Sequence, residues 1–294
     1  MMELVVDGRN TLGEGIVWDS RGKRLFWTDI ESSELWSHAP ATGALQRWPL
    51  PERLCSLALT EDDGRLLLAL ASGLAFFDLA SGGLDRICDV EADLPTTRLN
   101  DGRTDRQGRF VFGAFNQAEN PKAAIGGFYR LNHDLTLERL PLGGVAIANS
   151  ICFSPDGRTM YYADSATREI RCCDYDIDTG AVSNLRQFVP ADAAPGDPDG
   201  SAIDADGYLW STRWGAGQVV RFAPDGKVDR VLTLPAPQPT CPAFGGPGLD
   251  VLFVTSATVG LRAGQLADAP KSGGVFAHAL QIRGLEEVRF AGRP

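Results

Sequence analysis

Four residues at one repeated offset could do chemistry in this sequence. Glu14, Asn100, Asn149 and Asp199 each stand eight residues before a turn glycine, at Gly22, Gly108, Gly157 and Gly207. Ser56 before Gly64 and Thr240 before Gly248 complete the register, so all six positions carry a side-chain oxygen. The first four can offer a carboxylate or amide oxygen. Their settings are alike: L-G-E-G, L-N-D-G, A-N-S and P-D-G, with small neighbours that let the backbone turn sharply. Two carboxylates and two amides brought together would repel or stay unpaired without a positive charge between them. A hard divalent cation with oxygen ligands is the natural occupant. His38, His133 and His278 share no such register and are read as structural. The stretch R-L-N-D-G-R-T-D-R-Q-G-R, residues 98–109, is not an EF-hand. It lacks the D-x-D-x-D-G pattern and the closing glutamate. Asp105 to Gly108 reads as a plain turn, and Asp101 and Gly102 as residues that shape the approach of Asn100.

Such a ring needs elements that repeat. Short runs rich in Val, Leu, Phe, Tyr and Trp recur: K-R-L-F-W-T-D-I, G-R-L-L-L-A-L-A, G-R-F-V-F-G-A-F, T-M-Y-Y-A-D-S, G-Y-L-W-S-T-R-W and V-L-F-V-T-S-A. Each has strand-like spacing and follows one of the turn glycines. The interval is roughly 40–50 residues, the period of four-stranded propeller blades. The fold expected is all-β: a six-bladed β-propeller with four-stranded blades, one domain over residues 1–294. The apolar residues after each ring position (G-I-V-W, L-A-L-T, I-C-F-S, A-I-D-A) mark the innermost strands, whose starts surround one end of the axis. Residues 3–7 and 286–291 are both strand-like and could close the ring without leaving an open edge. Loops joining second to third strands return to the ring face. They are tight at Ser72-Gly73 and long at 116–127 and 258–274, and in blade five the loop carries Trp214, whose aromatic face suits a sugar.

Composition narrows the classes. The 294 residues carry a formal net charge of −10, which argues against nucleic-acid binding. No basic segment followed by an apolar run marks a signal peptide at the N-terminus, and no apolar run is long enough to span a bilayer. The six cysteines form no C-x-x-C pair and are expected as buried thiols in a reducing cytoplasm. G-x-S-x-G is absent, so no serine-hydrolase elbow is expected.

The chain resembles the senescence marker protein/regucalcin/gluconolactonase family of six-bladed propellers. The likeness rests on L-G-E-G-I-V-W-D (12–19), residues 98–113, 148–165, 198–211 and 243–255, and S-G-G-V-F-A (272–277). These arrive in the family's order over nearly the whole chain. The resemblance implies one divalent metal ion held by Glu14, Asn149 and Asp199, with Ca²⁺, Mg²⁺, Mn²⁺, Zn²⁺ and Fe²⁺ all open. It implies substrate contacts from Arg98 and Asn100. A glutamate of the blade-three loop touches sugar in some members, and here Glu119 and Asn116 both compete for that place. The activity implied is hydrolysis of a sugar-acid lactone (glucono-, galactono-, arabinono- or xylonolactone) in a sugar-oxidation pathway. Asp199 would be the general base, and the protein a monomer or weak homo-oligomer. Two alternatives use the same site: a phosphotriesterase or arylesterase, and a non-enzymatic metal or sugar sensor.

Overall fold

The computed structural model describes residues 2–118 and 121–293. Six four-stranded antiparallel sheets follow one another around an axis, giving the six-bladed propeller expected. Their innermost strands are Gly13–Asp19, Leu54–Leu59, Thr97–Thr104, Ala148–Phe153, Asp197–Ile203 and Pro239–Gly245. All six ring positions fall on these strands. Burial grades outward: Leu54–Leu59 and Ala148–Phe153 are buried throughout, whereas the outermost strands Ala44–Pro49 and Val228–Thr233 are mostly exposed.

The core lies between blades. Phe26 and Val17 of blade one pack with Leu57, Leu68 and Phe77 of blade two. Equivalent clusters fill the following interfaces. The last seats Trp18 and Trp27 of blade one against Cys241 and Phe253 of blade six, which closes the ring. Each blade therefore buries both faces only because two neighbours cover it, the usual logic of a repeated sheet.

Ring closure uses only one of the two terminal segments. Glu3–Val6 pairs antiparallel with Val275–Ala279 as the outer strand of blade six. Residues 286–291 form no strand, contrary to the sequence expectation. They run as a strap across the opposite end of the axis. Phe290 donates its N–H to the Leu59 carbonyl, Ala291 to that of Gly108, and Gly284 to that of Leu249. Glu287 meets Arg103 at 2.8 Å and Arg289 meets Asp19 at 2.5 Å. Leu285, Glu286 and Glu287 stand beside Thr104, Phe153 and Ile203 at the far ends of the inner strands, so the strap covers the end of the axis opposite the ring.

The turn at Asp105 does more than reverse the chain. Its fully buried carboxylate accepts from Arg109 Nε at 2.6 Å and from the Tyr175 hydroxyl at 2.8 Å, tying blades three and four together. The sequence shows the turn but not the neighbour. Among the described residues no helix is long and apolar enough to cross a membrane. One short helix, Ala263–Asp268, sits in the long blade-six loop.

Candidate active site

Each inner strand breaks its regular pairing at the ring position. The register shifts fall between Glu14 and Val17, Leu99 and Gly102, Asn149 and Cys152, Pro198 and Ser201, and Pro239 and Pro242, and in blade two just ahead of Ser56, between Leu54 and Ser56. A bulge re-aims the side chain beside it, which is how a ladder residue can be turned toward the axis. The local sequence fits the bend. Gly15 has φ +59°, a left-handed conformation natural to glycine. Gly200, next to Asp199, has Cys241 Cα 2.8 Å from where a Cβ would stand, so blade five approaches blade six too closely for a side chain. Ser150 adopts φ 58° without being glycine. Its hydroxyl donates to the Asp199 carbonyl at 2.6 Å and accepts from Ser201 at 3.0 Å, bonds that offset the backbone strain.

A cavity of about 300 Å³ opens at this end of the axis. Glu14, Arg98, Asn100, Asn149, Asp199 and Trp214 all line it. Ser165 lines it too, and apolar side chains, among them Leu12, Ile147 and Val259, form much of its wall. The other two ring members do not share it. Ser56 is fully buried, and Thr240 is buried with its hydroxyl bonded to Gly13 O and Thr255. Oxygen-bearing positions at equal offsets are thus divided by the packing into four that face the cavity and two that serve the interior. His38, His133 and His278 are absent from the lining.

Hydrogen bonds fix the polar groups in one arrangement. Arg98 Nη1 donates to Asn100 Oδ1 at 2.6 Å and to the Leu99 carbonyl at 2.9 Å, and its guanidinium stacks 4.4 Å from the Phe115 ring centre. Asn100 Nδ2 donates to the Ala148 carbonyl at 2.8 Å and to Asn149 Oδ1 at 3.3 Å. Asn149 Nδ2 donates to Ser165 Oγ at 2.8 Å, and Ser165 donates onward to the Pro198 carbonyl at 2.6 Å. This chain crosses three blades.

Two carboxyls meet at the centre. Glu14 and Asp199 lie within hydrogen-bonding reach of each other. Burial, then the charge of Asp101, pushes the Glu14 carboxyl up to about 8. Burial, then Glu14, then Asp101, pushes Asp199 well above the usual carboxylate range. Asp101 is itself buried and raised by that burial, although it accepts the Ile151 N–H at 2.8 Å. Three carboxyls crowded out of water favour protons or a cation in their midst. The donor set at the cavity is hard: two carboxyls and an amide carbonyl. Among the described residues no group of three or more Asp, Glu, His or Cys side chains is arranged as a metal site, and the Asn149 amide oxygen is a further hard donor at the cavity.

Two positions in the blade-three loop fall differently. Asn116 is buried, donates to the Ala123 carbonyl at 3.0 Å, accepts from the Ala118 N–H at 3.1 Å, and is not among the lining residues. Glu119 lies outside the described residues.

Residues 12–258 match the model of the SMP-30/Gluconolactonase/LRE-like region. The chain belongs to this family. Among its relatives is an L-arabinolactonase of Azospirillum brasilense, 53% identical over 292 residues, covering 99% of this chain and 96% of the relative. A pentonolactonase of Haloferax volcanii is 36% identical, covering 99% and 95%. The crystal structure of a calcium-binding protein, regucalcin, from Agrobacterium tumefaciens superposes with a TM-score of 0.93 at 32% identity, covering 99% of this chain and 97% of that one. The family match spans the ring positions of all six blades, from Glu14 to Thr240.

Sequence reasoning missed Ser150 and Ser165. The offset of sixteen that separates Ser165 from Asn149 gives a polar residue in three other blades, at Ser72, Asn116 and Ser256, but Ile30 after Glu14 and Gly215 after Asp199, so it marks Ser165 only weakly.

Proposed function

We propose that this lactonase opens a neutral sugar-acid lactone to the aldonic acid, with a five-carbon aldonolactone of the arabinono type as its best substrate. The single observation that carries the reading is the cavity in which Glu14, Asn149 and Asp199 converge beside Arg98 and Asn100. The 53% identical relative named L-arabinolactonase supports the choice of sugar. The six cysteines, all free thiols, suit a reducing compartment such as the cytoplasm.

Glu14, Asn149 and Asp199 would hold one divalent ion, since their oxygens are hard donors and their crowded carboxyls call for positive charge. Calcium, magnesium, manganese, zinc and ferrous iron all suit such donors, and the likeness to a calcium-binding regucalcin supports the first of these. When bound, such an ion supplies Lewis acidity at a carbonyl oxygen.

The chain's own residues do the rest. Trp214 offers a flat apolar face to the C–H side of the sugar ring, at the cavity wall. Arg98 and Asn100, locked together at 2.6 Å, hold hydroxyl groups or the carbonyl in a fixed orientation. Asn116 acts at one remove, by setting the course of the blade-three loop. Asp199 accepts a proton from the attacking water as the water oxygen bonds to the lactone carbon and the carbonyl π pair moves onto the carbonyl oxygen. The ring C–O bond then breaks, and the ring oxygen leaves as an alcohol that takes up the proton. General-base help of this kind is worth on the order of 10²–10⁴ in rate.

The test is turnover of a panel of aldonolactones by metal-stripped protein supplied with single metal ions. Hydrolysis of a pentonolactone above the buffer rate, dependent on a divalent ion, is the expected result. Turnover of aryl esters or phosphotriesters in preference to every lactone would overturn it.

A further inference from the structure

We propose that Ser165 is a positioning residue: its hydroxyl decides which end of the Asn149 amide faces the cavity. The proposal rests on the reading of Asn149 as a metal ligand.

The case is one of donor and acceptor arithmetic. An asparagine amide looks nearly the same after a half-turn, yet only its oxygen can bind a cation. Something must choose. The Pro198 carbonyl can only accept, so the Ser165 proton is committed to it at 2.6 Å. Ser165 Oγ is then left with lone pairs and accepts from Asn149 Nδ2 at 2.8 Å. Nδ2 is drawn to the serine, and Oδ1 is freed toward the cavity and Asn100. The other neighbour agrees. Asn100 must receive Arg98 on its oxygen and give its nitrogen to the Ala148 carbonyl, so it meets Asn149 as a donor. That contact is the longer of the two, 3.3 Å against 2.8 Å, which makes the serine the stronger anchor.

Ser165 is placed for this and little else. It is 9% exposed, lines the cavity and follows directly on Asp164, whose carboxylate accepts the N–H groups of Ala146 and Ile147 just ahead of Asn149. Asp164 thus sets the backbone of the ligand and Ser165 its side chain. Partners behind a metal ligand commonly govern affinity by 10–100-fold.

The experiment compares full-length Ser165→Ala, Ser165→Thr and Ser165→Cys with the parent. Each is stripped of metal and titrated calorimetrically with Ca²⁺ and with Mn²⁺. Melting of the metal-free proteins is followed in parallel. Ser165→Ala should bind the ions about 10–100-fold more weakly while melting within a few degrees of the parent. Ser165→Thr, which keeps the hydroxyl, should recover affinity to within about threefold. Ser165→Cys, near in size but weak in hydrogen bonding, should show the loss even where the alanine variant fails to fold. Parent-like affinity in the alanine or cysteine variant, or no recovery with threonine, would overturn the assignment while leaving the metal reading intact. A parent that binds none of Ca²⁺, Mn²⁺, Mg²⁺, Zn²⁺ and Fe²⁺ in the same titration would remove the metal reading and this inference together.

Discussion

Glu14 on the first blade and Asp199 on the fifth bring their carboxyls within hydrogen-bonding reach of each other at the head of the axial channel. Two acids so placed cannot both ionise cheaply out of water. The protein therefore holds at its centre a pair whose protonation and cation binding compete.

That competition gives the first prediction. The Glu14 carboxyl rises from 4.5 to about 8 on folding, so the folded chain binds a proton that the unfolded chain has lost. Asp199 moves in the same direction. Between about 4.5 and 8 the unfolded chain has released this proton while the folded chain still holds it, so the folded state loses stability as pH climbs. Metal-free protein should become less stable across this window in denaturant titrations. Added divalent ion should reverse the trend and bind more tightly at higher pH, with proton release on binding. Stability of the stripped protein rising over the same range would contradict the arrangement.

Asp199→Asn keeps the shape and removes the base. Its kcat/KM on the best lactone should fall by about 10²–10⁴. Metal affinity measured separately will show how much of the fall is lost ion and how much lost proton transfer. Undiminished turnover at saturating metal would exclude Asp199 as the base.

Arg98 is buried, bonded to Asn100 and stacked on Phe115. Arg98→Lys keeps the charge but loses the planar fork and the stack. A loss of about tenfold to a hundredfold in kcat/KM is expected, about 1–3 kcal/mol for a charged hydrogen bond removed. Steady-state kinetics of the folded variant is the check.

Trp214 forms part of the cavity wall. Trp214→Ala should raise KM by about fivefold to tenfold with kcat little changed, equivalent to about 1 kcal/mol of apolar and aromatic contact. A collapse of kcat at unchanged KM would place the residue in the chemistry instead.

The strap under the axis is testable by stability alone. Arg289 meets the nearly inaccessible Asp19 at 2.5 Å, and Arg24 gives that acid a second, longer contact at 3.4 Å. Arg289→Met leaves a buried carboxylate short of its main partner and should cost about 3 kcal/mol in urea unfolding. A change below about 0.5 kcal/mol would show that the strap is not held there.

The sequence by itself determined the repeat and the ring. Blades are copies of one supersecondary unit, so a fixed offset from each turn glycine names the same place on every inner strand. Glu14, Asn100, Asn149 and Asp199 could be placed together before any contact was known. The Trp214 loop could be assigned to the same face because strand direction alternates. Tertiary structure alone decided which ring members share the cavity: Ser56 and Thr240 hold the same register yet turn inward. It also decided that residues 286–291 form a strap and not a strand, since Glu3–Val6 already occupies the edge of blade six. Asn116 could be read as a substrate contact, but its amide bonds within its own loop, and loop bonding leaves no periodic mark. The offset of Ser165 from Asn149 is shared by polar residues in other blades, but its role was not legible, for a related reason. Its importance lies in a donor–acceptor chain from Arg98 to Pro198 that joins three blades. A repeat fixes where a backbone position lies; which way an amide turns is fixed by neighbours that the repeat does not specify.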